Sequence, residues 1–450
     1  MVTLPDYAGL VTSTETRHLL EGFEQALASM FRADGNALPI IEGALGRNPK
    51  FTLGHCLLAG ALILRGADTA SGALAASVAA IEADTDASER ERRHGHAARR
   101  WLDGDVVGAS QAYGELLRDH PRDRLALLVA HALDFRLGRR DMLRDRVASV
   151  LTHWDASDRE YGFVLGMHAF GLEETGNYRD ALTVARKSLE FIPDNSAAIH
   201  VIAHVLEMTG TPDRGIAWLR ATQPIWAGNA GFRVHIAWHL ALFQFDAGAA
   251  NEALSTYDDL IAPQLGAGNN SLVDASALLW RLQLLGAGSQ WRWRDVTARW
   301  IQQRTFGSRA FDLVHAVMAM AASRQHGRAR QLAARLKADT MLRSRSGKDE
   351  LSLAEALVAA IIAFCRGRYD AAVESICTVR AMADRCGGSV AQCDLIHLTL
   401  IEAALRGHQS RLARTLAAER AARKPASGLN RWLSARAWTR GTAKLATARA

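Results

Sequence analysis

Proline is scarce in this chain, with nine residues in 450, so few positions force a helix to stop or kink. Alternating runs of β-branched residues are equally rare, which argues against a sheet protein. Five cysteines occur, at 56, 365, 377, 386 and 393, and none forms a CxxC pair. That leaves no disulfide framework to expect and points to free, mostly buried thiols in a reducing compartment. MVTLPDYAGL at the N-terminus lacks a basic segment followed by an apolar one, so it does not read as a secretory signal. The most apolar stretch, LSLAEALVAAIIAFC (351–365), is short and carries Glu355, which makes it a buried helix and not a membrane span. No Lys-Ser/Thr follows the GAG of PQLGAGNN and no strand precedes it, so a phosphate loop is excluded. No serine nucleophile elbow occurs either. A cytoplasmic location is the expectation, without a membrane partner.

What is abundant is hydrophobic residues, 49% of the chain, with alanine and leucine dominant. The net charge of +7 is spread thinly, and no basic block interleaves with exposed aromatics, so no specific nucleic-acid partner is expected. WRWRDVTARW (291–300) is the nearest approach, but Trp293 and Trp300 stand seven apart on one helix face and read as core.

The chain repeats itself. In GNYRDALTVARKSLEFIPDN (176–195), Gly176 precedes Ala181 by five residues, and Pro193 follows twelve later. Gly104, Ala109 and Pro121 keep the same offsets, and Gly248/Ala253 and Gly367/Ala372 keep the first. Gly104, Gly138, Gly176, Gly210 and Gly248 are 34, 38, 34 and 38 residues apart, the period of a helix–turn–helix unit. Glycine makes the turn, small alanine lets paired helices approach, and proline ends the second helix. Further turn glycines are expected at 66, 327, 367 and 407, and loops at 262–272, 386–391 and roughly 340–350. The Gly-x-Tyr-x-x-Ala…Pro pattern resembles a tetratricopeptide repeat. The expectation is an all-α, right-handed α-solenoid of about ten tetratricopeptide-like hairpins. It is read as one continuous domain over 1–450, with His/Glu-rich central repeats at about 160–250.

HVIAHVLEM (200–208) carries the sharpest chemistry. His200, His204 and Glu207 share one helix face in an apolar setting, and HIAWHL (235–240) adds His235 and His239. In tetratricopeptide solenoids the groove is lined by residues about 3, 6, 10 and 13 positions before the turn glycine. That resemblance puts His200, His204, Glu207, His94, Trp101, Phe170, Glu173, His235, Trp238 and Phe245 on the groove. It turns His239 partly off it and leaves His131 and His168 as packing positions. First helices of neighbouring pairs lie about 10 Å apart, so their side chains can converge.

HVIAHVLEM, FRVHIAWHLAL, ALSTYDDLIAPQL (253–265), DASALLWRLQLLG (274–286) and GGSVAQ with Asp394 match in order and spacing. Together they resemble the tetratricopeptide repeat protein 38 family over almost the full chain. The family pattern falls on His55, His94, His131, His200, His204, Glu207, His235, His239, Asp274, Arg281 and His315. His168 departs from it, since an aromatic residue is expected there. The resemblance implies the fold and leaves the activity open.

Two chemistries fit this set. His200, His204, Glu207 and His235 are candidate ligands for a divalent zinc, iron or manganese ion, although the order is not HExxH. Without a metal, His200, His204, Glu207, His235 and His239 are candidates for acid–base catalysis of a hydrolase or lyase type. His94, Trp101, Phe170, Glu173, Trp226, Trp238, Asp274, Arg281 and His315 are candidates for binding the small molecule. The alternative is a non-catalytic interaction scaffold that takes a peptide or protein in its groove while the cluster only fixes helix register. The oligomeric state is left open.

Overall fold

The computed structural model describes residues 3–14, 16–67, 71–266, 268–303, 310–338, 348–385 and 387–439. The fold is all-α, of the α-solenoid class. Helix is the regular structure throughout the described residues, apart from an isolated bridge between Pro5 and Val11. Contacts divide the chain into two compact units. The first is Met1–Ile202 with Gly228–Phe232, and the second is Ala203–Ala227 with Arg233–Ala450.

The first unit contains α1 (Arg17–Arg32), α2 (Ala37–Arg47), α3 (Thr52–Leu64), α4 (Gly72–Ala83), α5 (Glu89–Leu102), α6 (Val106–Asp119), α7 (Arg124–Arg136), α8 (Arg140–Leu151), α9 (Tyr161–Glu174) and α10 (Tyr178–Phe191). The helix α11 (Ser196–Met208) starts in the first unit and ends in the second. The second unit continues with α12 (Pro212–Ala221), α13 (Gln223–Trp226), α14 (Arg233–Asp246), α15 (Ala250–Thr256), α16 (Asn269–Leu284), α17 (Gln290–Gln302), α18 (Ala310–Ala322), α19 (His326–Ala338), α20 (Lys348–Cys365), α21 (Tyr369–Cys377), α22 (Val390–Arg406), α23 (Ser410–Arg423) and α24 (Gly428–Trp438). Within the units, consecutive helices pack as hairpins: α1 with α2, α3 with α4, and so on to α9 with α10. The pairing resumes with α14 and α15 and continues to α22 with α23.

The repeat residues behave as their chemistry predicts. Gly104, Gly138, Gly176, Gly210 and Gly248 all adopt the left-handed backbone, with φ from 64° to 85°. Ala109, Ala181, Ala253 and Ala372 are all fully buried between helices. Gly171 shows how close that packing is: a Cβ there would stand 2.6 Å from the backbone of Arg144 on α8. Helices α6 and α10 end two residues before Pro121 and Pro193.

Several expectations fail locally. Gly327 lies inside α19, and Arg324 takes the left-handed turn position instead, at φ 64°. Gly407 is replaced in that role by His408, at φ 59°. The loop expected at 262–272 is shorter, because Ala262–Gln264 forms a 3-10 turn and α16 already starts at Asn269. The loop expected at 386–391 ends at Ser389, whose hydroxyl and Gln392 form a reciprocal cap on α22. Cys386 and residues 339–347 lie outside the described residues. Cys393 is held in a disulfide, against the expectation of free thiols, because pairing depends on where the chain folds back and spacing does not report that. Cys56, Cys365 and Cys377 are free, the last of them exposed. Trp293 and Trp300 are core residues, as their spacing implied. No helix among the described residues is long and apolar enough to cross a membrane.

Candidate metal centre

In the second unit, α11 contributes His204 and Glu207, α14 contributes His235, Trp238 and His239, and α16 contributes Asp274 and Arg281. The four-residue spacing puts His235 and His239 on one face of α14, and seven residues put Asp274 and Arg281 on one face of α16.

The rings converge. His204 and His239 have centroids 4.5 Å apart, and His235 and His239 have centroids 4.9 Å apart. His204, His235 and His239 each offer a ring nitrogen, and these nitrogens lie within 4.8 Å of one another. Two of the rings are held from behind. His239 donates Nδ1–H to Glu207 Oε2 at 2.8 Å, and His235 donates Nδ1–H to Asp274 Oδ2 at 2.9 Å. With Nδ1 protonated, the lone pair of each ring sits on Nε2. Each carboxylate has a further contact: Lys424 Nζ lies 3.9 Å from Glu207, and the Gln392 amide donates to Asp274 at 3.3 Å.

Burial is nearly complete. His204 and His239 are inaccessible, while the His235 side chain keeps 23% of its surface. Burial, and then the positive groups His204, His235, Arg281 and Lys424, push His239 well below the usual imidazole range. For His235 burial acts the same way, but Asp274 outweighs it and raises the ring. His239 is therefore neutral at pH 7, the form a metal ligand needs.

Trp238 is stacked on His235, with centroids 5.3 Å apart and planes 14° apart, and the Arg281 guanidinium lies 5.3 Å over its indole. Buried His315 donates Nδ1–H to the Phe311 carbonyl at 2.9 Å, and Asp274 and Arg281 both act on its charge.

The remaining sequence candidates are spread over both units. His200 falls in the part of α11 that belongs to the first unit, its ring beside Phe170 and Phe232 at 6.0 and 5.7 Å. Glu173 is fully buried in that unit. His94 is not a groove residue. It is buried against Asp123 at 2.9 Å, and Arg90 reaches the same carboxylate at 3.4 Å. Trp101 donates to the Ala67 carbonyl and Trp226 to the Leu219 carbonyl, so both are satisfied core indoles and not pocket walls. His55 donates to the Pro49 carbonyl. His131 and His168 are partly buried and packed, as expected. Glu207, expected among metal ligands, instead orients His239, whereas His239, expected partly off the groove, is central. The offset from the turn glycine ignores which neighbouring ring a side chain meets. Gln392 and Lys424 were missed; both lie more than a hundred residues from Asp274 and Glu207 in sequence, and no local pattern links them.

No known protein family matches the chain by its family profile. Among solved structures it is similar to the crystal structure of the P58(IPK) TPR domain, at 15% identity, covering 80% of this chain and 99% of that one, with a TM-score of 0.19. It is also similar to the structure of Naa15/Naa10 bound to HypK-THB, at 15% identity, covering 89% of this chain and 68% of that one, with a TM-score of 0.20. Likenesses at this level carry no functional argument.

Proposed function

We propose that this chain is a tetratricopeptide-type repeat protein whose second unit carries a divalent-metal centre acting on a small molecule. The observation that carries the reading is the convergence of His204, His235 and His239 within 4.8 Å, with two of the rings held through Nδ1 by carboxylates. Metal-ligating histidines are usually oriented in this way by a second partner. Neutral imidazoles suit zinc, iron or manganese. His200 stands one turn before His204 on the same helix. The chemistry such a centre supplies is polarisation of a carbonyl or activation of water, for hydrolysis or elimination. Glu207 and Asp274 orient their rings and hold the Nδ1 protons. The relation to the tetratricopeptide repeat protein 38 family is likewise our reading, from the order of the motifs.

A second reading draws on the burial of His204 and His239. In it the cluster only fixes helix register in a scaffold for protein or peptide partners. Elemental analysis of protein purified without an affinity tag separates the two, with His204→Ala and His239→Ala beside the wild type. The expected result is about one metal ion per chain in the wild type and loss of it in both variants. A metal-free wild type with strongly destabilised variants would establish the scaffold reading.

A further inference from the structure

Residues 410–450 hold ten of the chain's 54 Lys and Arg but only one of its 47 Asp and Glu, Glu419. The positive excess is therefore concentrated there, and not spread thinly as the composition suggested. RWLSARAWTR (431–440) also sets three arginines among two tryptophans, a basic and aromatic mixture of the kind the sequence was expected to lack. Glu419 is already paired, with Arg380. Arg420 is held by Asp394 at 2.7 Å, Arg436 by Glu402 at 2.8 Å, and Lys424 Nζ lies 3.9 Å from Glu207. Arg411, Arg414, Arg423 and Arg431 meet no carboxylate among the described residues, and Arg411, Arg423 and Arg431 are exposed.

Three of these unpaired cations surround the most exposed tryptophan among the described residues. Arg431, Ala435 and Trp438 recur at steps of four and three, so they stand on one face of α24, and all three are exposed. Trp438 keeps 72% of its surface. Arg414 of α23 lies 5.0 Å over its ring, and Arg411 stands one turn before Arg414. The half-buried Trp432 carries Arg436 at 4.5 Å. The indole N–H groups of Trp101, Trp154, Trp226, Trp280, Trp293 and Trp300 all donate to protein acceptors. Those of Trp432 and Trp438 have no such acceptor among the described residues.

Unpaired guanidinium groups call for an anionic partner, and a projecting indole says which kind. In the headgroup layer of a bilayer the guanidinium groups meet lipid phosphates, while the indole keeps its ring in the apolar boundary and its N–H wet. A nucleic acid would need open ring faces for its bases to stack on, and Arg414 and Arg436 already lie over a face of each ring. We propose that the surface of α23 and α24 around Trp438 docks on membranes rich in anionic phospholipid, against the expectation of no membrane partner. Basic groups and an apolar anchor together supply the two signals that such binding needs. The contact is peripheral, since no described helix is long and apolar enough to cross. The proposal is independent of the metal-centre reading.

The test is flotation of the full chain with vesicles of phosphatidylcholine alone and of phosphatidylcholine mixed with phosphatidylglycerol, at one ionic strength. Binding is expected to the mixed vesicles only, and to weaken as salt is raised. Arg411→Gln/Arg431→Gln is expected to weaken partitioning about 25-fold, roughly fivefold for each charge removed. Trp438→Ser is expected to weaken it at least about threefold. Arg294→Gln/Arg299→Gln removes the same charge from exposed positions of α17 and is expected to change nothing. No binding to the mixed vesicles, equal binding to both kinds, or an equal loss in the α17 variant would each overturn the proposal. So would displacement from the vesicles by a single-stranded oligonucleotide at equal phosphate concentration, which would make this a nucleic-acid surface. All the substituted side chains are exposed, so unfolding midpoints are expected to stay near the wild type. Should a variant not fold, the contrast between the two vesicles decides alone.

Discussion

His94 with Asp123 in the first unit and His235 with Asp274 in the second are the same pair at the same distance, 2.9 Å. What surrounds them differs. Asp123 also meets Arg90 and accepts the Ala126 N–H at the start of α7, and burial of its carboxyl is outweighed by His94 and Arg90, which hold it well below the usual range. Arg90 continues to Asp6, and a neighbouring Arg124 is shared among Glu24, Glu160 and Asp6. Asp6, Asp123, Glu24 and Glu160 are each met by an arginine, and the result is an ionic core. In the second unit the carboxylates stand behind imidazoles whose other sides face one another. A histidine–carboxylate pair is therefore not a site by itself. The convergence of ring nitrogens in front of such pairs is what distinguishes the second unit.

The largest effect that would test this contrast is expected at Arg124. Arg124→Ala strips Glu24 and Glu160 of a buried partner and is expected to cost about 3–5 kcal/mol, read by denaturant unfolding. A loss below about 1 kcal/mol would mean that the first unit is no ionic core. Next comes Glu207→Gln, which keeps the size of the side chain and removes its charge. It is expected to lower metal affinity about 10–100-fold, with little change in unfolding midpoint. A large stability loss with unchanged metal affinity would place the second unit with the first.

The smallest effect concerns pH. Burial, then the charge of Arg146, lower His131 to about 4, below its ordinary 6.5. The unfolded chain takes up that proton first, so the stability this ring contributes is present above about pH 6.5 and lost as pH falls toward 4. The ring is partly exposed, so the loss is expected to be on the order of 1–3 kcal/mol. His131→Gln is expected to flatten that part of the stability–pH curve, and an unchanged slope would remove His131 as its source.

The repeat was legible because its signals are local. Gly176 and Ala181 report a turn and a close helix contact from their own spacing, and the structure uses both in that way. The register broke down at Gly327 and Gly407, where Arg324 and His408 accept the left-handed backbone at some cost. Sequence also found the histidines of α11 and α14, since fours and threes put them on helix faces. It could not assign their jobs. Glu207 and His239 are 32 residues apart, and only the packing of two helices makes one the other's support. Trp101 and Trp226 show the same limit: an indole is a pocket wall or a core residue according to whether a carbonyl meets its N–H.

Asp6 is tied to residue 90 across 84 positions of chain, and Glu24 to residue 124 across 100. Helical hairpins otherwise touch mainly their neighbours, which makes for quick, local folding. These two ties close long loops. During synthesis the first carboxylates have to wait until α5 and α7 have left the ribosome before they meet their arginines. The segment around Asp6 is thus expected to be among the last parts of the first unit to settle. Exchange of the Tyr7 amide, which donates to Glu24, reports that moment.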